Sequence, residues 1–443
     1  MKTKLAIRLA SVVGVLAIVL SSTMLLAADT PTPTTQSEAG GIWLVGDHHM
    51  HTRSSDGSHY VTYDIEHSTD YGLDFITVTN HGGQANQPLI DEEYDIIEAL
   101  RKQNPDLLIF HGFEWNVPSG EHATFLVIPS ASENDRAQVN EFMSLYDQSL
   151  NPEANTEEKA IEALEYAEQM NPQPIIIINH PSRKGKYSTS EIRAYAEAGD
   201  VAIGFEGAPG HQANPDRGSY PAEEPGSSRT YGGYDKMTAE VGGLWDTLLD
   251  EGIRWFITAN SDFHTHFTEG GDDFWPGQYT KMYVFASEKS YRAIAEGIAA
   301  GKVFTVSGDL IDKLDFTASN GNAQAMMGET LLGRSGDDVK VTIRVHDPNG
   351  LNNNYDNPAL KQVQLISNAS GDPEIVRVFT SADWQRDGED LVMTHTFNDV
   401  GGDFYLRVRG SNTEELNPSE DPYGESAWND LWFYSNPIFI EVD

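Results

Sequence analysis

Nine side chains able to hold a metal ion recur along this chain in one kind of setting. His49 and His51 open the series, and Asp56 follows five residues later. His81 comes after the apolar run 75–79, Glu114 after 107–110 and His180 after 175–178. Asp262 and His264 follow 255–258, while His122 stands at the head of its own run, 123–128. Except for His122, each lies just past a short β-branched or aromatic stretch, where a barrel of parallel strands carries its chemistry. Imidazole and carboxylate gathered there point to hydrolysis by water bound to several divalent cations.

The spacing refines that reading. Residues i and i+2 on a strand face the same side, so His49 and His51 can share one ion, and Asp262 and His264 repeat the pattern. Asp56 sits on the turn 54–57, which can fold back over the first pair. The set is too large for one tetrahedral ion and too poor in oxygen for calcium, so about two or three ions sharing a carboxylate is the economical count. Glu114 is the candidate bridge. A single histidine such as His81 or His180 would ordinarily be a hydrogen-bonded core residue; the whole set together is not explained that way. A structural metal site closes with four protein ligands, which this open-ended arrangement does not resemble.

Strands must bring these residues together. Short β-branched runs are expected near 43–46, 74–79, 107–110, 122–128, 175–179, 201–205, 254–258 and 282–285. Amphipathic helical patterns lie between them near 62–72, 91–102, 156–170, 189–197, 235–251 and 289–300. Strand and helix in alternation predict a parallel sheet, and this many repeats predict a closed or nearly closed barrel. Two long connections, 207–235 and 269–277, leave from the ligand-bearing end and read as a lid or pocket wall.

After about residue 309 the period changes to two. The runs 339–345, 360–365, 375–379, 391–397, 404–408 and 437–442 alternate apolar and polar residues between turn-rich segments. They predict an antiparallel β-sandwich over 309–443, appended to a barrel over 42–308. Only His346 and His395 of the 14 histidines fall there, and it reads as a packing or surface-binding module.

The bulk composition sets limits. With 443 residues the chain has room for two cores. It has no cysteine, so any metal is held by imidazole and carboxylate, which suits Zn, Mn or Fe without choosing among them. Lys2, Lys4 and Arg8, an apolar stretch from 9 to 20 and Leu26-Ala27-Ala28 read as a general export signal over 1–28. A leucine three residues before either cut point leaves an uncleaved N-terminal anchor as the alternative. The Pro- and Thr-rich stretch 29–41 reads as a tether, and a periplasmic or secreted location follows. A net charge of −39 repels nucleic acid and anionic membranes and suits a salty exterior. No obligate protein partner is evident.

The motifs also carry a resemblance. His49-x-His51 with Ser55-Asp56-Gly57, Thr79-Asn80-His81-Gly82, Gly112-Phe113-Glu114, Asn179-His180-Pro181 and Ser261-Asp262-Phe263-His264 resemble the PHP (polymerase and histidinol phosphatase) domain over residues 43 to 305. That resemblance implies a distorted (β/α)7 TIM-like barrel with a trinuclear site, most often hydrolysing phosphoesters. Residues 301–308 and the C-terminal 434–438 are similar to the CehA/McbA branch, some of whose members hydrolyse aryl carbamates and other esters. Carried over by motif, His49 and His51 would share an ion with Glu114 and Asp262. Glu114, His122 and His180 would hold a second, and Asp56, His81 and His264 a third. Asn80 departs from the family's frequent aspartate, so it can orient a neighbour but not accept a proton. His48 replaces a more usual apolar residue and is expected to face away.

The chemistry expected is attack by a hydroxide formed between ions, since coordination lowers water's pKa from 15.7 to about 7. Asp262, Glu114 and His264 are the candidate catalytic residues, with Asp262 as proton acceptor. Arg53, Arg183 and Lys184 flank ligand motifs and are candidates for contacts to a phosphoryl group, or else are solvated surface cations. Tyr60, Trp115, Trp275 and Tyr279 read either as walls for an aromatic leaving group or as core. His211 and His266 are candidate rim residues or general acids, and His111 a residue behind the ligands. A phosphoesterase on a small-molecule substrate is favoured. A carboxyl-ester or carbamate hydrolase using the same ions, and a non-catalytic surface module, are the alternatives.

Overall fold

Runs too short for a helix and buried along their whole length become the strands of one large mixed sheet. In the computed structural model the described residues are 40–83, 86–130, 135–210 and 229–443. The expected export signal, nearly all of the tether, residues 211–228 of the long connection and His211 lie outside them.

The first part runs β1 (Ile42–Asp47), α1 (Val61–Asp70), β2 (Phe75–Val78), α2 (Gln87–Gln103), β3 (Leu108–Asn116) and β4 (His122–Val127). It continues through α3 (Asp135–Tyr146), α4 (Glu157–Glu168), β5 (Ile175–Ile178), α5 (Thr189–Ala198), β6 (Ala202–Ala208), α6 (Lys236–Ala239) and α7 (Leu244–Asp250). Then come β7 (Phe256–Ala259), β8 (Thr280–Ala286), α8 (Tyr291–Ala299) and β9 (Val303–Ser307). In space the strands lie in the order β9-β8-β1-β2-β3-β4-β5-β6-β7.

The pairing is not uniformly parallel, contrary to the expectation from sequence. β1–β2, β2–β3, β5–β6 and β6–β7 are parallel. β4 is antiparallel to both β3 and β5, and β8 is antiparallel to β1 and β9. The reversal at β4 follows from chain length: the 117–121 connection is long enough for a hairpin and too short for a crossover. It also explains why His122 opens its strand when the other candidates follow theirs. An antiparallel strand begins where its parallel neighbours end.

The expected closure of the barrel by a strand ladder is absent among the described residues; β7 ends the sheet path. Side chains bridge its free edge instead. Asn436 accepts from the Ile257 N–H (2.8 Å) and donates to the Ile257 carbonyl (3.1 Å), standing in for a neighbouring strand. His48 meets Thr258 Oγ1 at 2.8 Å, and Asp47 accepts from the Ser261 N–H at 2.8 Å. The expected helix 235–251 is broken into α6 and α7 at Gly242-Gly243, where Gly242 takes φ +75°.

The C-terminal part contains β10 (Lys313–Ser319), β11 (Gln324–Met326), β12 (Thr330–Gly333), β13 (Val339–His346), β14 (Gln362–Ser367) and β15 (Glu374–Thr380). β16 (Gln385–Asp387), β17 (Asp390–Phe397), β18 (Phe404–Ser411), β19 (Trp432–Ser435) and β20 (Ile438–Val442) complete it. One antiparallel sheet, β11-β10-β13-β17-β16, stands apart, as a sandwich layer should. The opposing layer is not separate. It continues the main sheet through the antiparallel pair β9–β19.

Strand alternation then gives two cores across one sheet. Met282, Val284 and Ala286 of β8 pack into the core beneath the metal-ligand candidates, with Trp432, Tyr434 and Phe439 from the C-terminal part. Tyr283 and Phe285, on the other face of β8, pack with Phe316, Val341 and Leu365. A buried ion pair ties the layers: Arg407 of β18 donates to both oxygens of Asp246 on α7, at 2.6 and 2.7 Å, both side chains being fully buried. Removing one partner leaves the other charge stranded, at a cost of about 3–5 kcal/mol. Asp246→Ala should therefore lower the unfolding free energy by about that amount in urea titrations; a loss below about 1 kcal/mol would mean the pair is not structurally important.

Candidate metal centre

Glu114 occupies the middle of the site. It lies within the second half of β3, opposite Thr124, and not beyond a strand end as the sequence suggested, because the hairpin with β4 prolongs β3 to Asn116. Its carboxylate is 1 % exposed. Oε1 lies 2.9 Å from His122 Nδ1, 3.3 Å from His180 Nε2 and 3.4 Å from His49 Nε2. Oε2 lies 2.7 Å from His81 Nδ1 and 3.4 Å from His51 Nε2.

The other candidates surround it. His49 and His51 follow β1, and their Nε2 atoms face each other at 3.0 Å, each 3.2 Å from Asp262 Oδ1. Asp56 reaches over from its turn, with Oδ2 3.1 Å from His81 Nε2 and 3.6 Å from His264 Nε2. All nine sequence-selected residues are thus brought to one mouth. His180 and Asp262 hold positive φ values of 30° and 43°, a conformation uncommon for side chains other than glycine and concentrated at functional positions.

Hydrogen bonds from other residues aim the ligand candidates. Glu206 of β6, fully buried, takes His49 Nδ1 at 2.7 Å, leaving that ring's Nε2 toward Glu114, and accepts from the His180 backbone N–H at 2.7 Å. Asn179 donates to Glu114 Oε1 at 3.0 Å and accepts from the Thr124 N–H at 2.8 Å. Asn80 accepts from the Thr52 N–H and from Ser55 Oγ, both at 2.8 Å, and so orients the loop that carries Asp56. Glu121 sits beside the cluster, its Oε2 3.6 Å from His180 Nδ1. Glu206, within β6, and Glu121, next to His122, were not singled out in the sequence.

The electrostatics suit a cation. Burial opposes ionisation of Glu114, yet His122, His81 and His49 hold its carboxyl well below the ordinary range. Burial likewise opposes charge on Asp262, and His49 and His51 pull it well below normal. His51 is pushed down to about 3 by burial and by His264, so it stays neutral. For His81 burial is outweighed by Glu114 and Asp56, which raise it to about 10. Buried Glu114 Oε2, Asp262 Oδ1 and His122 Nδ1 nevertheless make no well-aligned hydrogen bond. Imidazole and carboxylate atoms crowded this closely, and poorly aligned for hydrogen bonds, fit positions around divalent ions. The donor sets His49/His51/Glu114, His51/Asp56/His81/His264, His81/Glu114/His122 and Glu121/His122/His180 are each compact enough to bind one.

A cleft of about 430 Å³ opens over this centre. Its lining includes Arg183 and Lys184, which meet Glu121, and Asp272 and Asp273, the latter near His264, while Asp56, His81, Glu114, His122, Asp262, Thr265 and Gly271 also line it. Arg183 donates to Glu121 through Nε at 2.9 Å, and Lys184 Nζ lies 3.1 Å from the same oxygen. Arg53 does not line the cleft; it is exposed and stacks on Tyr60 at 5.1 Å.

The candidate aromatic walls are elsewhere. Trp115 is buried against Phe142, Trp275 stacks on His67 at 3.8 Å, and Tyr279 packs on Phe274. His266 is tied to Gln278 at 2.9 Å away from the cleft. His111 faces the opposite side of β3 from Glu114 and packs on Tyr94. His48 also turns away, as expected, onto Thr258.

No family model matches the chain, and no curated protein matches it. Among solved structures it is similar to a two-domain protein from Bacteroides vulgatus, described as containing a predicted PHP-like metal-dependent phosphoesterase. That match has 14% identity, covers 94% of this chain and 99% of that one, and has a TM-score of 0.44. A protein from Bifidobacterium adolescentis, named as a candidate metal-dependent phosphoesterase, matches at 12% identity over 52% of this chain and 90% of its own, with a TM-score of 0.31. An amidohydrolase from Chromobacterium violaceum, with bound sulfate and no metal, matches at 15% identity over 52% and 90%, with a TM-score of 0.30.

Glu206 gives a direct check on the centre. Replacing a group that orients a metal-bound histidine typically weakens metal affinity about 10–100-fold. Glu206→Gln should do so in a chelator competition with Zn or Mn, with the melting temperature of the metal-free protein little changed. Unaltered affinity would mean that His49 is not a ligand.

Proposed function

We propose that this chain is an exported, metal-dependent phosphoesterase of the PHP type, built on a distorted (β/α)7 barrel with a trinuclear centre. The observation that carries the reading is the crowding of five imidazoles onto the one buried carboxylate of Glu114. His49, His51, Glu114 and Asp262 would hold one ion, Glu114, His122 and His180 a second, and Asp56, His81 and His264 a third. Nitrogen and oxygen donors of this kind suit Zn, Mn or Fe. Such ions supply an activated water near neutral pH and neutralise charge on the phosphoryl oxygens.

The chain's own residues account for the rest. In the hydrolysis, water's oxygen bonds to phosphorus, the P–O bond to the alcohol breaks, and the alcohol leaves with one proton. Asp262, ionised and with Oδ1 making no well-aligned hydrogen bond, is the acceptor for the proton that water loses. Arg183 and Lys184 offer cations to the non-bridging oxygens in the cleft. Asn179 and Glu206 keep Glu114 and His49 aimed while the charge shifts. The basic start and apolar stretch of 1–28 support export, hence a periplasmic or secreted enzyme acting on a small-molecule ester.

A carboxyl-ester or carbamate substrate would use the same centre, but Trp115, Trp275 and Tyr279 are packed in the interior and the exposed Tyr60 pairs with Arg53 outside the cleft. A substrate panel separates the two. Metal-loaded enzyme should hydrolyse 4-nitrophenyl phosphate or its bis ester, and turn over 1-naphthyl acetate and naphthyl methylcarbamate at least about 100-fold more slowly in kcat/KM, a gap of about 2.7 kcal/mol in transition-state binding. The reverse order would contradict the phosphoesterase reading.

A further inference from the structure

The cleft differs from ordinary small-molecule sites in what lines it. Such pockets, about 300–1,000 Å³ in volume, are walled mainly by apolar and aromatic side chains. This one, at about 430 Å³, has no aliphatic or aromatic hydrocarbon wall among the described residues; every lining side chain of any length is charged, imidazole or hydroxyl-bearing. An aryl or alkyl leaving group would find only the stems and ring carbons of polar side chains to bury against, and would gain less by entering than in a hydrocarbon-walled pocket.

The charges are also sorted. The cations Arg183 and Lys184 stand at the end where Glu121 meets His180. The acids Asp272 and Asp273 stand at the end where Asp273 approaches His264, at 3.7 Å. Asp273 is committed, accepting from the His264 and Thr265 N–H groups at 2.8 and 3.2 Å. Asp272 is exposed, lines the cleft, and has no hydrogen-bond or ion-pair partner among the described residues.

We infer that the substrate is the phosphoester of a small hydrophilic alcohol whose remaining donor groups, hydroxyl or ammonium, face Asp272. This rests on the phosphoesterase reading and narrows it. The phosphoryl group lies toward Arg183 and Lys184 across the metal-ligand cluster, and the alcohol extends to the acidic end. Asp272 is then a specificity residue for the leaving group.

Competition isolates binding from leaving-group reactivity. With 4-nitrophenyl phosphate as the reporter and metal-loaded enzyme, Ki is measured for glycerol 1-phosphate, glucitol 6-phosphate, phosphoethanolamine and phenyl phosphate. At least one hydrophilic ester should bind about tenfold more tightly than phenyl phosphate, and Asp272→Asn should reduce that ratio to near one, as loss of a hydrogen bond to a charged group would. The preferred arm identifies the donor as hydroxyl or ammonium. Asp272→Ser, with a melting temperature matched to the parent, guards against a folding defect. Equal or tighter binding of phenyl phosphate, or a preference that survives both substitutions, overturns the inference and leaves the phosphoesterase reading standing. Absence of turnover on any phosphoester sinks both.

Discussion

One buried carboxylate sets the terms for the rest of the site. Glu114 cannot be taken out of water as an anion without compensation, and it is buried beside a second carboxylate, Asp262. The two carboxylates also repel, each within 3.4 Å of the same ring nitrogens of His49 and His51. Divalent cations among these atoms would resolve both problems at once. The surrounding hydrogen bonds make sense on that footing: Glu206 turns His49 outward, Asn179 fixes one oxygen of Glu114, and Asn80 holds the loop bearing Asp56.

The fold serves this arrangement through one departure from regularity. A uniformly parallel barrel brings strand ends to its mouth, one set of side chains per strand. Reversing β4 turns the β3–β4 connection into a tight hairpin, so that the mid-strand Glu114 and the strand-opening His122 meet. The C-terminal part is structurally continuous with this region. Its β19 extends the main sheet, its Asn436 occupies the free edge of β7, and its Arg407 pairs with Asp246 of α7. Variation in that part will be felt in the stability of the metal-bearing part.

What could be read from the sequence was what depends on local spacing. The β-branched runs before His81 and His180 are short and uninterrupted, and they became β2 and β5 close to their expected limits. The i, i+2 pairs gave His49 with His51 without any tertiary information. Strand direction was not legible, because 122–128 has the same composition whichever way it runs; only the length of the connection before it carried the signal. Helix α3 was missed although Val139, Phe142, Met143 and Tyr146 have helical spacing, and β10 although Lys313–Ser319 alternates cleanly. Glu206 and Glu121 were invisible for a different reason. Their roles come from partners distant in sequence, and nothing near them distinguishes them from the many other acids of this chain. Trp115, Trp275 and Tyr279 show the converse, since an aromatic residue near a motif is more often held by the core than by the site.

The central claim is that both oxygens of Glu114 are shared among bound cations. Anomalous diffraction from crystals grown with Mn or Zn tests it most directly. The account predicts at least two peaks at coordination distance, about 2.0–2.2 Å, from Glu114 oxygens and from histidine nitrogens of His49, His51, His122 or His180. Crystals saturated with metal in which no peak touches Glu114, its carboxylate hydrogen-bonded only to protein and water, would contradict it.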